Sequence, residues 1–370
     1  MKVPYLDLRV SDENHKAAIL KRLDKVLSHG RIVEGPEVDE FERRMARRIG
    51  VKYAVGMSSG SSALYSALKS LGIGPGDEVI TTPFTWIITV NAIAETGARP
   101  VFADVGIDCN INPEAIKQKL SKKTKAIVPM HVGGHLCDMS SLSEIAKTYG
   151  LHIVEDAAQA ICGRLASRSA GSFSTVAAFS MNPMKVLHGY GEAGVVTTNN
   201  KKIYQRLKKL RHAGTRRDPL GRHINQCDFI SLNHKIDTVQ AAFLLENLKR
   251  LEGVWRKREQ LAKVYDTRLG DIVRFQELHP QERHGRYLYL IQTRKRDPLR
   301  KYLTTIGVET KVVYSPLASD ARPYKGLPKS SLPVSRQLLV ETLSLPLHEK
   351  MSVCQAEFVA DEIRGYLENT

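Results

Sequence analysis

From Lys52 onward, short runs rich in β-branched and apolar residues alternate with segments of helical periodicity. The predicted strands cover 53–57, 78–81, 101–104, 126–131, 153–156, 175–180 and 194–198, and predicted helices cover 62–71, 86–95, 113–120 and 142–149. Strands that alternate with helices form a mostly parallel sheet with helices on both faces. Ligands bind such sheets at the carboxyl ends of the strands. We therefore expect an α/β fold of this seven-stranded type, with functional residues just after the strands.

The alternation gives way to a different pattern near residue 245. A long helix is predicted from 240 through Trp255 and Arg258, followed by a strand over 286–293 and a helix over 298–306. A strand over 309–314, a loop rich in Pro, Ser and Gly, and a helix over 356–367 complete the chain. A chain of 370 residues is long enough for two domains. We expect a large ligand-binding domain of residues 1–245, which includes the N-terminal segment, and a smaller α+β domain of residues 246–370.

The chain carries a formal net charge of +16, from 55 basic and 39 acidic residues. The basic residues are spread along the chain, and the densest run, 201–222, keeps Ile203, Leu207 and Leu210 at helical spacing. This spacing favours a solvated helix face over a nucleic-acid surface. A positive field also attracts phosphorylated substrates. We therefore expect a small anionic ligand and no nucleic-acid partner.

Targeting and redox signals are weak in this sequence. The apolar stretches are strand-sized, which predicts no transmembrane helix and no membrane partner. Residues 1–16 lack an apolar signal core, so we expect a cytoplasmic protein. The five cysteines are scattered, and no pair has CxxC spacing, which is typical of reduced thiols.

A cluster of serines lies between the first predicted strand and the first predicted helix. It reads Ser-Ser-Gly-Ser-Ser-Ala over 58–63 and includes Gly60 and Ser61. Small residues, hydroxyls and exposed backbone N–H groups at a helix start form a binding cup for phosphate. An ordinary serine N-cap explains the same residues equally well.

Asp156 ends the predicted strand 153–156, and Gln159 follows three residues later. A carboxylate at a strand end can face a ligand, and one held against a pyridine nitrogen keeps that nitrogen protonated. Gln159 could pack or hydrogen-bond beside such a ring. A solvated acidic strand end is the alternative interpretation.

Lys185 lies on an irregular loop after the predicted strand 175–180. A lysine in this position can form a Schiff base with a carbonyl group. Trp86, which follows another strand, could stack on a flat ring. Taken singly, a surface lysine and a core tryptophan are equally good interpretations.

Taken together, in this order and at these spacings, the sequence resembles the sugar aminotransferases of the DegT/StrS type. The resemblance extends over nearly the whole chain and includes the segments 30–38, 74–80, 125–131, 232–242 and 343–348. It departs from the usual family pattern at Ala193, where the family has glycine, and at His234 and Lys235. The resemblance implies fold type I of the pyridoxal phosphate (PLP) enzymes, with an architecture similar to that of aspartate aminotransferase.

The resemblance also implies roles for individual residues. Lys185 would hold PLP as a Schiff base, and Asp156 would pair with the pyridinium nitrogen. Trp86 and Gln159 would flank the ring. The phosphate would be bound by Gly60, Ser61 and Ser180, and by Asn233 from the partner subunit of a homodimer. Candidate substrate residues are His131, His188 and Tyr314.

The activity implied is transfer of an amino group from glutamate or glutamine to a keto-sugar, with pyridoxamine phosphate as the intermediate form of the cofactor. A nucleotide-linked sugar would suit the basic charge of the chain. A PLP-dependent sugar dehydratase of the same family is an alternative, although those enzymes carry histidine where this chain has Lys185. Amination of a cyclitol ketone or a small phosphorylated ketone, a PLP-binding regulator without turnover, and a nucleic-acid binder are further alternatives.

Two other patterns are set aside. The segment 189–194 fits the dinucleotide pattern GxGxxG, but it follows a loop and precedes a strand-like run. His131, His135 and Cys137 could suggest metal ligands, but Gly133 and Gly134 argue against the helix that such spacing needs. We therefore predict no metal site.

Overall fold

Seven strands form the large sheet, in agreement with the alternating sequence pattern. A computed structural model describes residues 1–328 and 330–369. In chain order its strands are β1 (Tyr53–Met57), β2 (Glu78–Thr81), β3 (Arg99–Phe102), β4 (Thr124–Val128), β5 (His152–Asp156), β6 (Arg164–Leu165), β7 (Arg168–Ser169), β8 (Val176–Ser180), β9 (Gly194–Thr198), β10 (Thr215–Arg217), β11 (His223–Cys227), β12 (Glu282–Arg283), β13 (Tyr289–Gln292) and β14 (Thr342–Leu345).

The order of strands across the large sheet is β1, β9, β8, β5, β4, β2, β3. β9 is antiparallel to both of its neighbours, and the remaining pairs are parallel. The mostly parallel α/β sheet predicted from the sequence is therefore confirmed. Because the parallel strands run the same way, the ends of β5 and β8 lie at one edge of the sheet.

The α-helices lie mainly between these strands and at the two ends of the chain. They are α1 (Glu13–His29), α2 (Pro36–Ile49), α3 (Gly60–Ser70), α4 (Ile88–Glu95), α5 (Pro113–Lys117), α6 (Met139–Tyr149), α7 (Lys201–Arg211), α8 (Thr238–Leu269), α9 (Arg296–Thr305), α10 (Pro333–Glu341) and α11 (Val353–Glu368). Among the described residues, every helix is too short or too polar to span a bilayer.

Helices cover both faces of the large sheet because alternate strand residues point to opposite sides. Phe179 and Val195 pack in one core with residues of α2 and α8. Ala178 and Val196, their neighbours in sequence, pack in a second core with residues of α3 and α7. The second core also contains the apolar stripe predicted on the basic helix, Ile203, Leu207 and Leu210.

A separate core forms around the second half of α8. Leu261 and Tyr265 pack there with β13, β14, α9 and α11, and Val3 from the N-terminal segment joins them. The predicted boundary at 245/246 falls within α8, which runs without interruption from Thr238 to Leu269. We retain the division into a large and a small domain as a proposal.

The strand predicted over 309–314 is wrong. This segment makes only an isolated bridge, between Lys311 and Ser344. The partner of β13 is β14, whose residues are all buried and whose Leu343 and Leu345 enter the core. The 309–314 segment lies beside β14 and stays half-exposed. Its apolar residues therefore do not require the complete set of backbone hydrogen bonds that a sheet strand makes. The loop predicted after it contains α10.

Candidate active site

The edge of the sheet where β5 and β8 end brings several predicted residues together. Asp156 is the last residue of β5, and Ser180 is the last residue of β8, which pairs directly with β5. Lys185 lies in the loop that connects β8 to β9. Gly60 starts α3 so close to β8 that a Cβ atom at position 60 would lie 2.6 Å from Ser180 Cβ.

Asp156 is buried and held by two donors. Thr89 Oγ1 donates to Oδ2 at 2.7 Å, and the Ala158 backbone N–H donates to Oδ1 at 3.2 Å. Burial raises the pKa of Asp156, while the hydrogen bond from Thr89 and the charge of Lys185 act in the opposite direction. A cation placed against this carboxylate would restore its ionised form, since an opposite charge favours the charged state.

Lys185 points its amine at an aromatic face. Its Nζ lies 4.4 Å from the centre of the Tyr287 ring, and the side chain is partly buried. The ring faces the amine in a cation–π contact, which helps to hold the amine in place.

Gln159 connects three segments beside Asp156. Its Oε1 accepts the Gly133 backbone N–H at 2.7 Å, and its Nε2 donates to the Tyr314 hydroxyl. Burial raises the pKa of Tyr314 well above its usual value, so this phenol stays neutral. The contact brings Tyr314, from the C-terminal half of the chain, to the strand edge that carries Asp156.

The start of α3 carries the serines for which the sequence left both a phosphate cup and an ordinary N-cap open. Ser59 caps the helix by accepting the Ser62 backbone N–H at 3.0 Å. The N–H groups of a helix's first turn lack acceptors within the helix and face an anion at that end. Gly194 closes the other side, since a Cβ atom there would lie 2.2 Å from the Ser59 carbonyl oxygen. Gly60, Ser61 and Ser180 thus surround a cradle formed by closely packed backbone.

Trp86 and Asn233 lie at the surface of the chain. Trp86 comes two residues before α4 and is 62% exposed. Asn233 is also exposed, and its side-chain oxygen accepts the Lys235 backbone N–H at 3.2 Å. The N-cap of α8 is Asp237, so Asn233 does not cap this helix.

The structure contradicts the expectation that His131 contacts substrate. The ring is fully buried, its Nε2 lies 3.0 Å from Glu155 Oε2, and its Nδ1 accepts the Cys137 backbone N–H at 3.1 Å. Both ring nitrogens are therefore used inside the protein. His188 is partly buried and lies in a groove that is also lined by the N-terminal segment, α8 and Glu349.

Sequence reasoning missed two residues of this site, Thr89 and Tyr287. Thr89, in the first turn of α4, is four residues after Thr85, which precedes the helix, and their hydroxyl oxygens lie 2.7 Å apart. This spacing of two threonines after a strand is a signal that could have pointed to Thr89. Tyr287 lies among other aromatic and basic residues, and its position gives no comparable signal.

A lysine after β8, a buried carboxylate at the end of β5 and an anion cradle at α3 are arranged on the sheet of a PLP-dependent enzyme of fold type I. The chain belongs to the DegT/DnrJ/EryC1/StrS aminotransferase family, whose family model matches residues 13–364. It is accordingly a PLP-dependent transaminase.

Individual relatives agree over the full length of the chain. A Geobacillus stearothermophilus relative named "Pleiotropic regulatory protein" is 34% identical over 99% of each chain. The dTDP-3-amino-3,4,6-trideoxy-alpha-D-glucose transaminase of Streptomyces venezuelae is 35% identical, over 99% of this chain and 97% of the relative. The crystal structure of S. venezuelae DesV in complex with a ketimine intermediate superimposes with a TM-score of 0.95 and 35% identity, over 100% of this chain and 99% of that one.

The residues present fit PLP. The cofactor has an aldehyde, a pyridine nitrogen and a phosphate, which require an amine, a carboxylate and an anion site, respectively. Lys185, Asp156 and the start of α3 supply these three groups at one edge of the sheet. The pKa of Asp156 is raised because burial has a larger effect than the nearby charge of Lys185. A further cation, such as a protonated ring nitrogen, would therefore stabilise the ionised carboxylate.

Proposed function

We propose that this transaminase moves an amino group from glutamate or glutamine onto a nucleotide-linked keto-sugar in amino-sugar biosynthesis. The observation that carries the proposal is that Lys185 and Asp156 lie near each other at the same edge of the sheet. Lys185 lies near enough for its charge to lower the pKa of Asp156, against the larger effect of burial. An amine and a carboxylate in this arrangement would act on one ligand.

Lys185 supplies the reactive amine. When bound, PLP offers an aldehyde that can carry the amino group and a ring that takes up negative charge. Lys185 Nζ would bind this aldehyde and, once displaced by the donor, would remove the proton from the donor's α-carbon. The Tyr287 ring holds the amine above its face at 4.4 Å and keeps it oriented for that transfer.

Asp156 would hold a proton on the ring nitrogen of the cofactor. Its carboxylate is aimed by Thr89 and by the Ala158 N–H, so little reorganisation is needed. Gln159, which is hydrogen-bonded to Gly133 and Tyr314, would pack beside the ring of the cofactor, and Trp86 would cover the exposed side of that ring. Gly60, Ser61 and Ser180 would bind the phosphate.

The choice of a nucleotide-linked sugar rests on charge and on relatives. The chain carries a net charge of +16, which attracts a substrate with a diphosphate group. A relative that is 35% identical is named for a dTDP-linked amino sugar. Tyr314, a neutral phenol that is partly buried beside Gln159, would offer a hydrogen bond to the substrate, and His188 is a further candidate.

We further propose that two copies share each active site. Asn233 is exposed on its own subunit, where its side chain makes a local contact to Lys235. Apolar side chains nearby in sequence are also exposed, with Ile230 at 90% and Leu232 at 69%. Exposed apolar groups beside a polar candidate ligand are typical of a protein interface. In a two-fold dimer, Asn233 would reach the phosphate of the partner's cofactor.

The test is turnover by the purified protein. The protein is incubated with PLP, glutamate or glutamine, and a panel of dTDP- and UDP-linked keto-sugars, and amino-sugar products are detected by mass spectrometry. We expect one class of keto-sugar to be aminated, and the Lys185→Ala variant to form no product above background. Conversion of cyclitol ketones or simple phosphorylated ketones alone would refute the nucleotide-sugar assignment. Loss of water from the sugar without gain of nitrogen would identify a dehydratase.

A further inference from the structure

A carboxylate and two imidazoles meet far along the chain from Lys185 and Asp156. Glu34 lies in the link between α1 and α2, His212 caps the end of α7, and His223 begins β11. The two imidazole rings are stacked, with centroids 3.3 Å apart and planes 8° apart. Both Nε2 atoms face the same oxygen of Glu34, Oε2, at 3.7 Å from His212 and 3.9 Å from His223.

Thr215 fixes the protonation of both rings. Its hydroxyl donates its single hydrogen to the His212 backbone carbonyl at 2.7 Å. The hydroxyl oxygen also lies 3.0 Å from His212 Nδ1 and 2.8 Å from His223 Nδ1. Since that oxygen can then only accept, each Nδ1 must carry the hydrogen. In the neutral imidazoles, both Nε2 atoms therefore present lone pairs to Glu34.

Three acceptor atoms thus converge on one point. The distances of 3.7 and 3.9 Å between nitrogen and oxygen exceed those of a hydrogen bond. His223 Nε2 is buried and has no hydrogen-bond partner among the described residues. A cation between the three atoms would relieve the repulsion of their lone pairs.

The spacing suits a metal ion. Metal–nitrogen and metal–oxygen bonds to zinc are each about 2.0–2.1 Å long, so two of them span separations up to about 4 Å. Glu34 and His223 line an open groove between α2, α7 and the β10–β11 hairpin, which gives an ion access. Glu34 and Ala213 both adopt left-handed backbone conformations, with φ of 53° and 54°. These conformations are unusual for non-glycine residues and hold Glu34 and His212 in their present orientation.

Two arginines lie close to the same carboxylate. Arg211 Nη2 and Arg217 Nη2 approach the other oxygen of Glu34, Oε1, at 3.6 and 3.5 Å. These contacts involve Oε1 and leave Oε2 to the imidazoles. The charge of Arg211 is also offset by Glu42, which accepts a hydrogen bond of 2.5 Å from Nη1. Glu42 therefore offsets the charge of Arg211, while Lys208, Lys209, Arg216 and Arg217 also line the groove.

We propose that Glu34, His212 and His223 bind a divalent transition-metal ion, with Zn²⁺ the expected occupant. Imidazole nitrogens favour zinc over calcium or magnesium, and three protein ligands leave a fourth position for water. Thr215 acts as the outer partner that orients both rings. The ion would join the link before α2 to the hairpin that precedes Asn233, whose backbone pairs with His212.

The experiment titrates the purified holoenzyme with ZnCl₂ at pH 7.5 and measures bound metal after dialysis, together with the melting temperature. We expect one Zn²⁺ per chain and a higher melting temperature. His223→Ala and Glu34→Gln should each weaken binding by more than about 100-fold, beyond the usual effect of losing an outer partner. Thr215→Val should weaken it by about 10-fold. His152→Ala, which removes an exposed histidine elsewhere, is the matched control and should bind as the unmodified protein does.

The readouts distinguish a built site from zinc held by surface groups. Equal zinc content in the unmodified protein, His223→Ala and Glu34→Gln would overturn the proposal, as would absence of stoichiometric binding in the unmodified protein. Cys227 pairs with Thr215 across the hairpin and is exposed, so the titration is repeated in Cys227→Ser. Zinc retained in Cys227→Ser but lost in His223→Ala supports the assigned ligands, whereas the reverse pattern rejects them. The proposal does not depend on the identity of the sugar.

Discussion

The hydroxyl of Thr89 donates a hydrogen bond of 2.7 Å to the buried carboxylate of Asp156. Thr89 belongs to α4, whereas Asp156 ends β5, and the two residues are 67 positions apart. Thr85, in the loop before α4, contacts Thr89, with 2.7 Å between their hydroxyl oxygens. This chain of hydroxyls orients the carboxylate that we assign to the ring nitrogen of the cofactor.

Asp156→Asn is expected to bind PLP but to slow the reaction with the amino donor by at least about 100-fold, because a neutral amide cannot hold the ring proton. Thr89→Val should cost about 10-fold, since it removes one hydrogen bond to the carboxylate. Single-turnover absorbance measurements with glutamate report both rates. Thr89→Ser keeps the hydroxyl and serves as the control. Near-normal turnover by Asp156→Asn would falsify its role.

Lys185 should be the residue that binds the cofactor covalently. Borohydride reduction of the purified protein should leave a pyridoxyl group on Lys185, because an amine bonded to the aldehyde is trapped by reduction. Peptide mass spectrometry locates the label, and Lys185→Ala should show none. A pyridoxyl group on any other lysine of the unmodified protein would exclude the assignment.

His135 should make the free energy of unfolding fall as the pH becomes alkaline. Its fully buried ring lies between Glu282, with 2.9 Å from Nδ1, and Asp108, with 3.3 Å from Nε2. Burial alone lowers the pKa of His135, but the hydrogen bonds and charges of Asp108 and Glu282 outweigh it and raise the pKa to about 9. The stabilisation is therefore complete below the unfolded value of about 6.5 and is lost as pH rises through about 9.

The corresponding measurement is denaturant unfolding at pH 6 and at pH 9.5. Between these two pH values, the free energy of unfolding of the unmodified protein should fall by about 2–3 kcal/mol more than that of His135→Gln, because glutamine does not titrate. The expected sign is a fall in stability with rising pH. Parallel losses in the two proteins would mean that the ionised His135 does not contribute.

Asn233 should act in the active site of the partner subunit. Lys185→Ala and the bulky variant Asn233→Trp are each expected to be inactive, and they are unfolded, mixed and refolded together. If Asn233 works across the interface, a mixed dimer has both defects in one site and none in the other. Random pairing should then restore roughly a quarter of the unmodified activity, by counting sites in a two-fold dimer.

The mixed dimers must be shown to form, for instance with two different affinity tags on the variants. If tagged mixed dimers are present and activity stays at background, Asn233 acts within its own subunit, and the shared site is ruled out. The same preparation of each variant alone gives the background value. This comparison separates a role across the interface from simple damage to the fold.

The segment 309–314 shows where the local pattern was insufficient. Both it and β14 are short and rich in apolar residues, so periodicity alone does not tell which of them pairs with β13. The core decides the outcome, because Leu343 and Leu345 fill it from β14. A tertiary contact is also decisive for His131, whose ring is buried inside the protein against Glu155, a neighbour in the fold.

The sequence by itself determined the sheet and the positions of Asp156 and Lys185. Alternating periodicities specify a mostly parallel sheet, and such a sheet brings its strand ends to one edge whatever the loops contain. Only the tertiary structure decided the contacts of Thr89 with Asp156, of Tyr287 with Lys185, and of Glu34 with His212 and His223. These contacts join segments that are distant in the chain, and their geometry depends on how helices pack on the sheet, which local periodicity does not encode.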